Sequence, residues 1–416
     1  MPYTTFAEEC SIIKKGIFNI NSTCYCNDGI PFVRISNLKD MAIDTTDIVH
    51  IPDYEHKKNY KTELVKDDII LSKTAIPAAS IVDINCCNVS QDTVAIKLKS
   101  NSKLLSHYVV VFLNTKYGLE QMQRRFTGNV QMHLNLEECK NEVLLPVFSF
   151  DFQEKIKTLF ERALFSRKKS KSLYSEAEDI LLSELGLKDW QPKMKSVSIR
   201  SFKDFAKSGR LDAEYYQSKY EEIEEKIKSV QCKSVAELQL FNTRGVQPDY
   251  VSDGTVSVVN SKHILENGLD YDNFEKTTFK FLQENERAKI HFNDILIYTT
   301  GANIGRAQPY LLKTDALASN HVNILRLKNV NSIYAALALN TIIGRSQTEK
   351  YCSGSAQVEL YPSDIEHFLI PILPEQTQNF IAEKILKSFD LRKQSKDLLE
   401  QAKKMVENEI EKVNMS

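Results

Sequence analysis

Apolar residues fall along this chain in two kinds of pattern, and each kind occurs twice. Short runs, DDIILSKT around Ile69 and NDILIYTT around Ile295, read as strands. So do SQDTVAIKLK (Ser90 to Lys99) and SNHVNILRLK (Ser319 to Lys328), which alternate toward a basic end as half-buried strands would. Longer runs carry a heptad-like stripe. One stripe is Phe152, Ile156, Leu159, Ala163, Leu173, Ala177 and Ile180; the other is Ile381, Ile385, Phe389, Leu399, Val406 and Ile410, with Ser166, Ser170 and Ser395 in the seams. Each stripe predicts a helix of about 30 residues, roughly 45 Å long. A lone helix of that length leaves its seam wet, so the two would meet antiparallel about a pseudo-two-fold axis and bury each other.

The patterns recur because the second half of the chain repeats the first at an offset of about 225 to 229 residues. Gly16 aligns with Gly245, Asp68, Ile69 and Thr74 with Asp294, Ile295 and Thr300, and Ser90–Lys99 with Ser319–Lys328. The best-preserved block pairs Leu113, Asn114, Thr115, Gly118, Gln121, Gly128, Gln131 and Leu134 with Leu339, Asn340, Thr341, Gly344, Gln347, Gly354, Gln357 and Leu360, eight identities in 22 ungapped positions. Pro146, Gln153 and Ile156 then pair with Pro371, Gln378 and Ile381 and lead into the helices. The expected organisation is 1–150 a first domain, 151–186 a central long helix, 187–198 a linker with the only tryptophan, 199–370 a second domain, and 371–416 a C-terminal long helix. The second domain opens with an amphipathic, charge-rich helix through SGRLDAEYYQSKYEEIEEKIKS.

Composition narrows the class. A chain of 416 residues fits two domains, no apolar run approaches the length of a membrane span, and the N-terminus lacks secretory-signal character, so the expected location is cytoplasmic. Eight cysteines show no zinc spacing. A net charge of −1 gives no global basic signal, so any nucleic-acid contact must use a local face.

No catalytic constellation emerges. The chain lacks a phosphate loop, a Gly-x-Gly-x-x-Gly after a strand, and the polar-Pro-Pro-aromatic motif with which amino-methyltransferases hold a base. Asp53, Glu55 and Lys57 imitate a nuclease metal site, but two carboxylates one residue apart lack the separation between strands that such a site uses.

Binding residues are more prominent. Each half has a polar loop before its long helix, Gln123–His133 and Glu349–Glu359. In the first loop, Arg124, Arg125, Thr127, Gly128, Asn129 and Gln131 are candidates, and in the second Ser353, Gly354, Ser355 and Gln357. Arginine can neutralise phosphates or fork onto guanine, glutamine matches the adenine edge, and glycine lets backbone approach a ligand. A second polar edge comes from Arg34, Asn37, Lys73 and Thr74, matched in the repeat by Asn260, Lys262, Thr299, Thr300, Asn303 and Arg306, with Asn320 and His321 on the adjoining strand.

Two homologous domains, each followed by a leucine- or isoleucine-proline step and a long helix (the second beginning PEQTQNFIAEKI), together with the SGRLDAEYY lead-in, resemble the specificity subunit of type I restriction-modification enzymes. The first helix departs from this in reading FSFDFQEKI. The resemblance implies an α+β fold, with two target-recognition domains of mixed β-sheet and helices joined by two long antiparallel helices. It implies a non-catalytic chain that reads a bipartite duplex DNA site, the helices fixing the distance between half-sites at about one DNA turn. Arg34 and Lys73 differ from Val259 and Thr299, taken as their counterparts, so the half-sites should be unrelated sequences. Implied partners are double-stranded DNA, two copies of an N6-adenine methyltransferase subunit that flips its target base, and a restriction (motor-nuclease) subunit. S-adenosylmethionine and ATP belong to those partners, with no cofactor in this chain. Alternatives are the recognition part of another phage-defence methyltransferase system, a metal-dependent DNA nuclease, and a pure protein scaffold.

Overall fold

The structure is a computed structural model that describes residues 2–74, 76–128, 132–193, 195, 197–354 and 357–415. The chain forms two compact units, Met1–Lys168 with Leu391–Ser416, and Lys169–Asp390. Both long helices contribute to both units. They run Phe150–Glu184 and Glu375–Met415, 35 and 41 residues, longer than the stripes predict. In the first helix the extra length carries the seam one step further, to buried Leu181.

In the first unit, an antiparallel sheet takes the order Cys10–Lys15, Thr93–Leu98, Ile69–Ser72, Ala79–Ile81. A second sheet runs Val49–Ile51, Ile30–Val33, Cys86–Val89, Leu64–Val65, with the central pair parallel. The second unit repeats both. Its sheets run Gln239–Arg244, Val322–Leu327, Ile295–Tyr298, Ala307–Pro309, and Glu275–Thr277, Val256–Val259, Ala316–Ala318, Lys289–Ile290, again with a parallel central pair.

One strand expectation changes. Thr93–Ile96 and Val322–Leu325 are buried on both faces, not half-buried. Val94 and Ile96 join the core under the helix Ser106–Leu113, while Ala95 faces a separate core shared with the second sheet. A strand covered on both sides has no solvent face to mark with polar residues.

Gly16 and Gly245 show why the repeat retains glycine there. A Cβ at either would run into backbone carbonyls of the neighbouring sheet, those of Val89 and Ser90 in one unit and Ala318 and Ser319 in the other.

Several of the repeated polar identities form a hydrogen-bonded clasp between each domain and its long helix, buried at Gln347 and more open at Gln121. Gln121 donates to the Leu144 carbonyl (3.1 Å) and accepts from the Leu144 amide (2.9 Å); Gln347 makes the same pair of bonds with Leu369. Tyr108 and Tyr334 each donate to the carbonyl of the proline before the helix, Pro146 and Pro371, at 2.9 Å. Gln153 and Gln378, in the first turns of the helices, accept from the amides of Leu105 (2.8 Å) and Asn331 (3.0 Å), at or just before the start of the domain's buried helix. Asn114 and Asn340 donate to the carbonyls of Ala79 and Ala307 at the sheet edge. These groups are polar because backbone donors and acceptors inside the join need partners.

The helices are antiparallel within each unit. In the first, Ser395 Oγ donates to the Ala163 carbonyl (2.8 Å) and Ser166 donates to Gln394 (3.3 Å). In the second, Ser170 Oγ donates to the Ser388 carbonyl (2.8 Å), and Lys384 pairs with Glu176 (2.8 Å). Small serines let the backbones approach and keep their hydroxyls bonded. The apolar seam includes Ile156, Ala163, Leu399, Val406 and Ile410 in the first unit and Ala177, Ile381 and Ile385 in the second, together with Phe160 and Leu181, which the stripes omit.

The charged lead-in to the second unit is not one helix. Phe202–Ser208 ends at Gly209 with φ 68°, a left-handed cap. A 3-10 turn Ala213–Tyr216 follows, and only then the helix Ser218–Lys228, which buries Tyr220, Ile223 and Ile227.

Gln347→Ala is expected to destabilise the second unit by about 2 kcal/mol, because it leaves the Leu369 amide and carbonyl without partners. Urea unfolding followed by Trp190 fluorescence measures this, and a loss below about 0.5 kcal/mol would mean that the clasp is dispensable.

Candidate nucleic-acid interface

In the second unit, the turn after strand Ile295–Tyr298 and the polar loop before the long helix are held together. Thr300 forms a backbone bridge with Glu359, the Leu360 amide donates to the Thr299 carbonyl (3.0 Å), and the Gly301 amide donates to the Val358 carbonyl (3.2 Å). His321 Nδ1 lies 3.1 Å from Thr300 Oγ1. The loop closes on itself through reciprocal Ser353–Glu359 backbone bonds, 2.8 and 2.9 Å. Gly354, at φ 113°, sits where a Cβ would strike the Gln357 carbonyl, so its glycine is needed for the turn. Gln357, Gly354 and Asn303 are exposed.

Arg244 organises this corner, and the sequence reading passed over it. Its guanidinium reaches Glu359 (3.4 Å), the carbonyls of Thr299 and Leu360 (3.4 Å each) and Thr300 Oγ1 (3.5 Å), and it stacks over Tyr361 at 4.6 Å. A hydrogen bond from Tyr361, then the charge of Arg244, holds the Glu359 carboxyl below the usual range. The signal was present in the repeat. Arg244 precedes Gly245 as Lys15 precedes Gly16.

The first unit has the corresponding arrangement with different chemistry. The Leu134 amide donates to the Lys73 carbonyl (2.8 Å), and Thr74 bridges His133. Burial, and then the neighbouring Lys15, push the Lys73 ammonium below its usual value. Asp92 opposes this in part, and an anion placed beside Lys73 would favour its charged form in the same way. Arg124 and Thr127 are exposed beside it, and Gly128 has φ 126°.

Several candidates have structural partners that redefine their roles. Asn37 is buried, accepting from the Arg34 amide (2.9 Å) and donating to the Asp44 carbonyl (3.0 Å), so its amide closes a turn. His263 does the same for Asn260 in the second unit (3.1 Å). Arg34 therefore corresponds to Asn260, not to Val259; the sequence alignment is one residue out there. Arg34 donates to the Asp47 carbonyl (2.7 Å). Arg125 lies over the end of the helix Leu136–Glu142, donating to the carbonyls of Gln121 (2.7 Å) and Glu142 (2.8 Å). Thr299 is fully buried, and Thr74 and Thr300 nearly so, which leaves their backbones as the parts that shape the turn. Asn260 and Lys262 both bond Glu275, and Arg306 bonds Asn303 (3.0 Å) and the Ile264 carbonyl (3.4 Å). Asn320 is half-buried at the turn before His321. Asn129, Gln131 and Ser355 lie outside the described residues. Asp53 pairs with Lys57 and Glu55 with Lys58 along one short helix.

Residues 224–404 match the family described as type I restriction modification DNA specificity domain. This match agrees with the likeness to specificity subunits drawn from the repeat. Solved structures similar to the chain include the S subunit of a type I restriction-modification system from M. genitalium, at 12% identity over 97% of this chain and 95% of that one, TM-score 0.47. The HsdS subunit from Thermoanaerobacter tengcongensis is similar at 12% identity over 98% and 95%, TM-score 0.31. No curated protein sequence matches. Among the described residues, no helix is long and apolar enough to cross a membrane.

Arg244→Met is expected to raise amide hydrogen exchange at Ser353, Glu359 and Leu360 by about tenfold, equivalent to roughly 1.4 kcal/mol of local stability. Unchanged exchange there would show that the loop holds its shape without the guanidinium.

Proposed function

We propose that the chain is a non-catalytic DNA-specificity subunit. Each unit reads one half of a bipartite duplex site, and the chain docks N6-adenine methyltransferase subunits, and a restriction subunit where one is present. The observation that carries this reading is the specificity-domain match over residues 224–404, joined to a first unit with the same strand order and the same clasp. Two copies of one reading module in a single chain suit two half-sites.

The differing residues indicate different half-sites. The first unit offers Lys15, Lys73 and Arg124 around its loop, whereas the second has Arg244 tied to Glu359 and presents Asn303 and Gln357. Cations suit phosphates and guanine edges; exposed amides suit adenine. The long helices, at about 52 and 62 Å, are of a length to set the separation of half-sites. S-adenosylmethionine and ATP chemistry falls to the partner subunits.

The test is binding by the complex with its methyltransferase, measured by fluorescence anisotropy on duplexes carrying the motif methylated in vivo and on random duplexes. The motif should bind at least about 1000-fold more tightly. Equal affinity for random duplex overturns the reading. Lys15→Ala and Lys73→Ala should each lower the slope of log K against log salt by about 0.9, the release accompanying one lost phosphate contact.

A further inference from the structure

The first unit gathers three metal-ligand side chains from separate elements. His56 lies on the helix Asp53–Lys58, Glu63 precedes the strand Leu64–Val65, and Cys86 opens the strand Cys86–Val89 paired with it. One ligand atom from each falls within 4.8 Å of the other two. His56 Nε2 is 3.7 Å from Glu63 Oε2, and Cys86 Sγ is 3.7 Å from Glu63 Oε1. Zinc bonds of about 2.0 Å to nitrogen or oxygen and about 2.3 Å to sulfur give a tetrahedral edge of about 3.3–3.6 Å, so small side-chain movements seat an ion between them.

The imidazole is also oriented from behind. Buried Asn88 has its Nδ2 2.9 Å from His56 Nδ1 and its Oδ1 3.0 Å from Thr62 Oγ1, whose single hydrogen also faces the Asn59 carbonyl at 3.0 Å. A carboxamide can be turned end for end without changing its outline. With its oxygen toward His56, every hydrogen is used once: Nδ1–H donates to Asn88, Asn88 to Thr62, and Thr62 to Asn59. That arrangement leaves the Nε2 lone pair facing Glu63 and Cys86, as a metal-bound histidine requires.

The second unit provides an internal comparison. Its strand pair Ile290–Ala316 corresponds to Leu64–Cys87, which puts Lys289 at the place of Glu63 and Asp315 at the place of Cys86. There Lys289 and Asp315 form an ion pair at 2.8 Å, and the counterpart of His56 is buried Leu282. One copy closes this corner with its own cation. The other sets a carboxylate, a thiol and an imidazole around the same point.

We propose that His56 Nε2, the Glu63 carboxylate and Cys86 Sγ bind a divalent cation of the zinc class, with water as the fourth ligand. On binding, the Cys86 proton leaves to solvent and a thiolate–metal bond forms. The ion would tie the helix Asp53–Lys58 to the sheet, as the Lys289–Asp315 pair ties its corner in the second unit. This proposal does not depend on the DNA-reading function.

The purified chain is loaded with zinc or cobalt(II), passed through gel filtration, and its metal content and absorption spectrum are measured. Expected are equimolar metal and, with cobalt, a thiolate-to-metal charge-transfer band with intense tetrahedral visible bands. Cys86→Ser should abolish the charge-transfer band, and His56→Gln should lose the metal. The double variant Glu63→Lys with Cys86→Asp transplants the ion pair of the second unit. It should fold, hold no metal, and keep its thermal midpoint unchanged by zinc, whereas zinc raises that of the wild type. Wild-type protein emerging without metal, or a charge-transfer band surviving in Cys86→Ser or the double variant, overturns the proposal.

Discussion

The join between each domain and its long helix is the constraint on which the rest depends. A strand two or three residues long ends at a proline, the chain turns into a helix of more than thirty residues, and the backbone groups left inside that corner have to be satisfied. Gln121 and Gln347 do so with both ends of one carboxamide, and Tyr108 and Tyr334 reach the proline carbonyl. A partly bonded corner would be costly in the second unit, where Gln347 and the groups it bonds are largely out of water. This explains why the identities between halves cluster in the block before the helix.

The same constraint separates what repeats from what varies. Glycines at 16 and 245, asparagines at 114 and 340 and the clasp residues fix strand contact and helix entry, and they are alike in both copies. Around this frame, equivalent positions carry different chemistry. Lys15 and Lys73 repel each other where Arg244 is neutralised by Glu359, and Glu63, Cys86 and His56 stand where Lys289 and Asp315 form an ion pair. A duplicated scaffold with divergent corners allows one chain to present two unlike surfaces.

Much of this was legible in the sequence because a repeat reports structure twice. The strands around Ile69 and Ile295, those at Thr93–Leu98 and Val322–Leu327, the long helices and their serine-containing seam followed from pattern alone, whereas the second sheet of each unit did not. What escaped has physical causes. Ser106–Leu113 and Ser332–Asn340 are apolar on every side because they are wholly interior helices, so they show no amphipathic period. Asn37 and Arg125 looked like binding residues because side chains that close turns and cap helices are the same polar types that read nucleic acid. Arg244 was hidden beside a glycine whose repetition drew attention first. His56, Glu63 and Cys86 have no metal spacing in the chain, since it is strand pairing that brings them together.

The most direct measurement is a map of methylated adenines across the genome of cells expressing this chain with its methyltransferase, compared between wild type and a variant altered only at Asn303 and Gln357. The prediction is a motif of two dissimilar halves separated by a fixed unspecified spacer, with the variant changing or relaxing one half and leaving the other half and the spacer as they were. A contiguous motif, or a variant that alters both halves together, would contradict the division of the chain into two independent reading units.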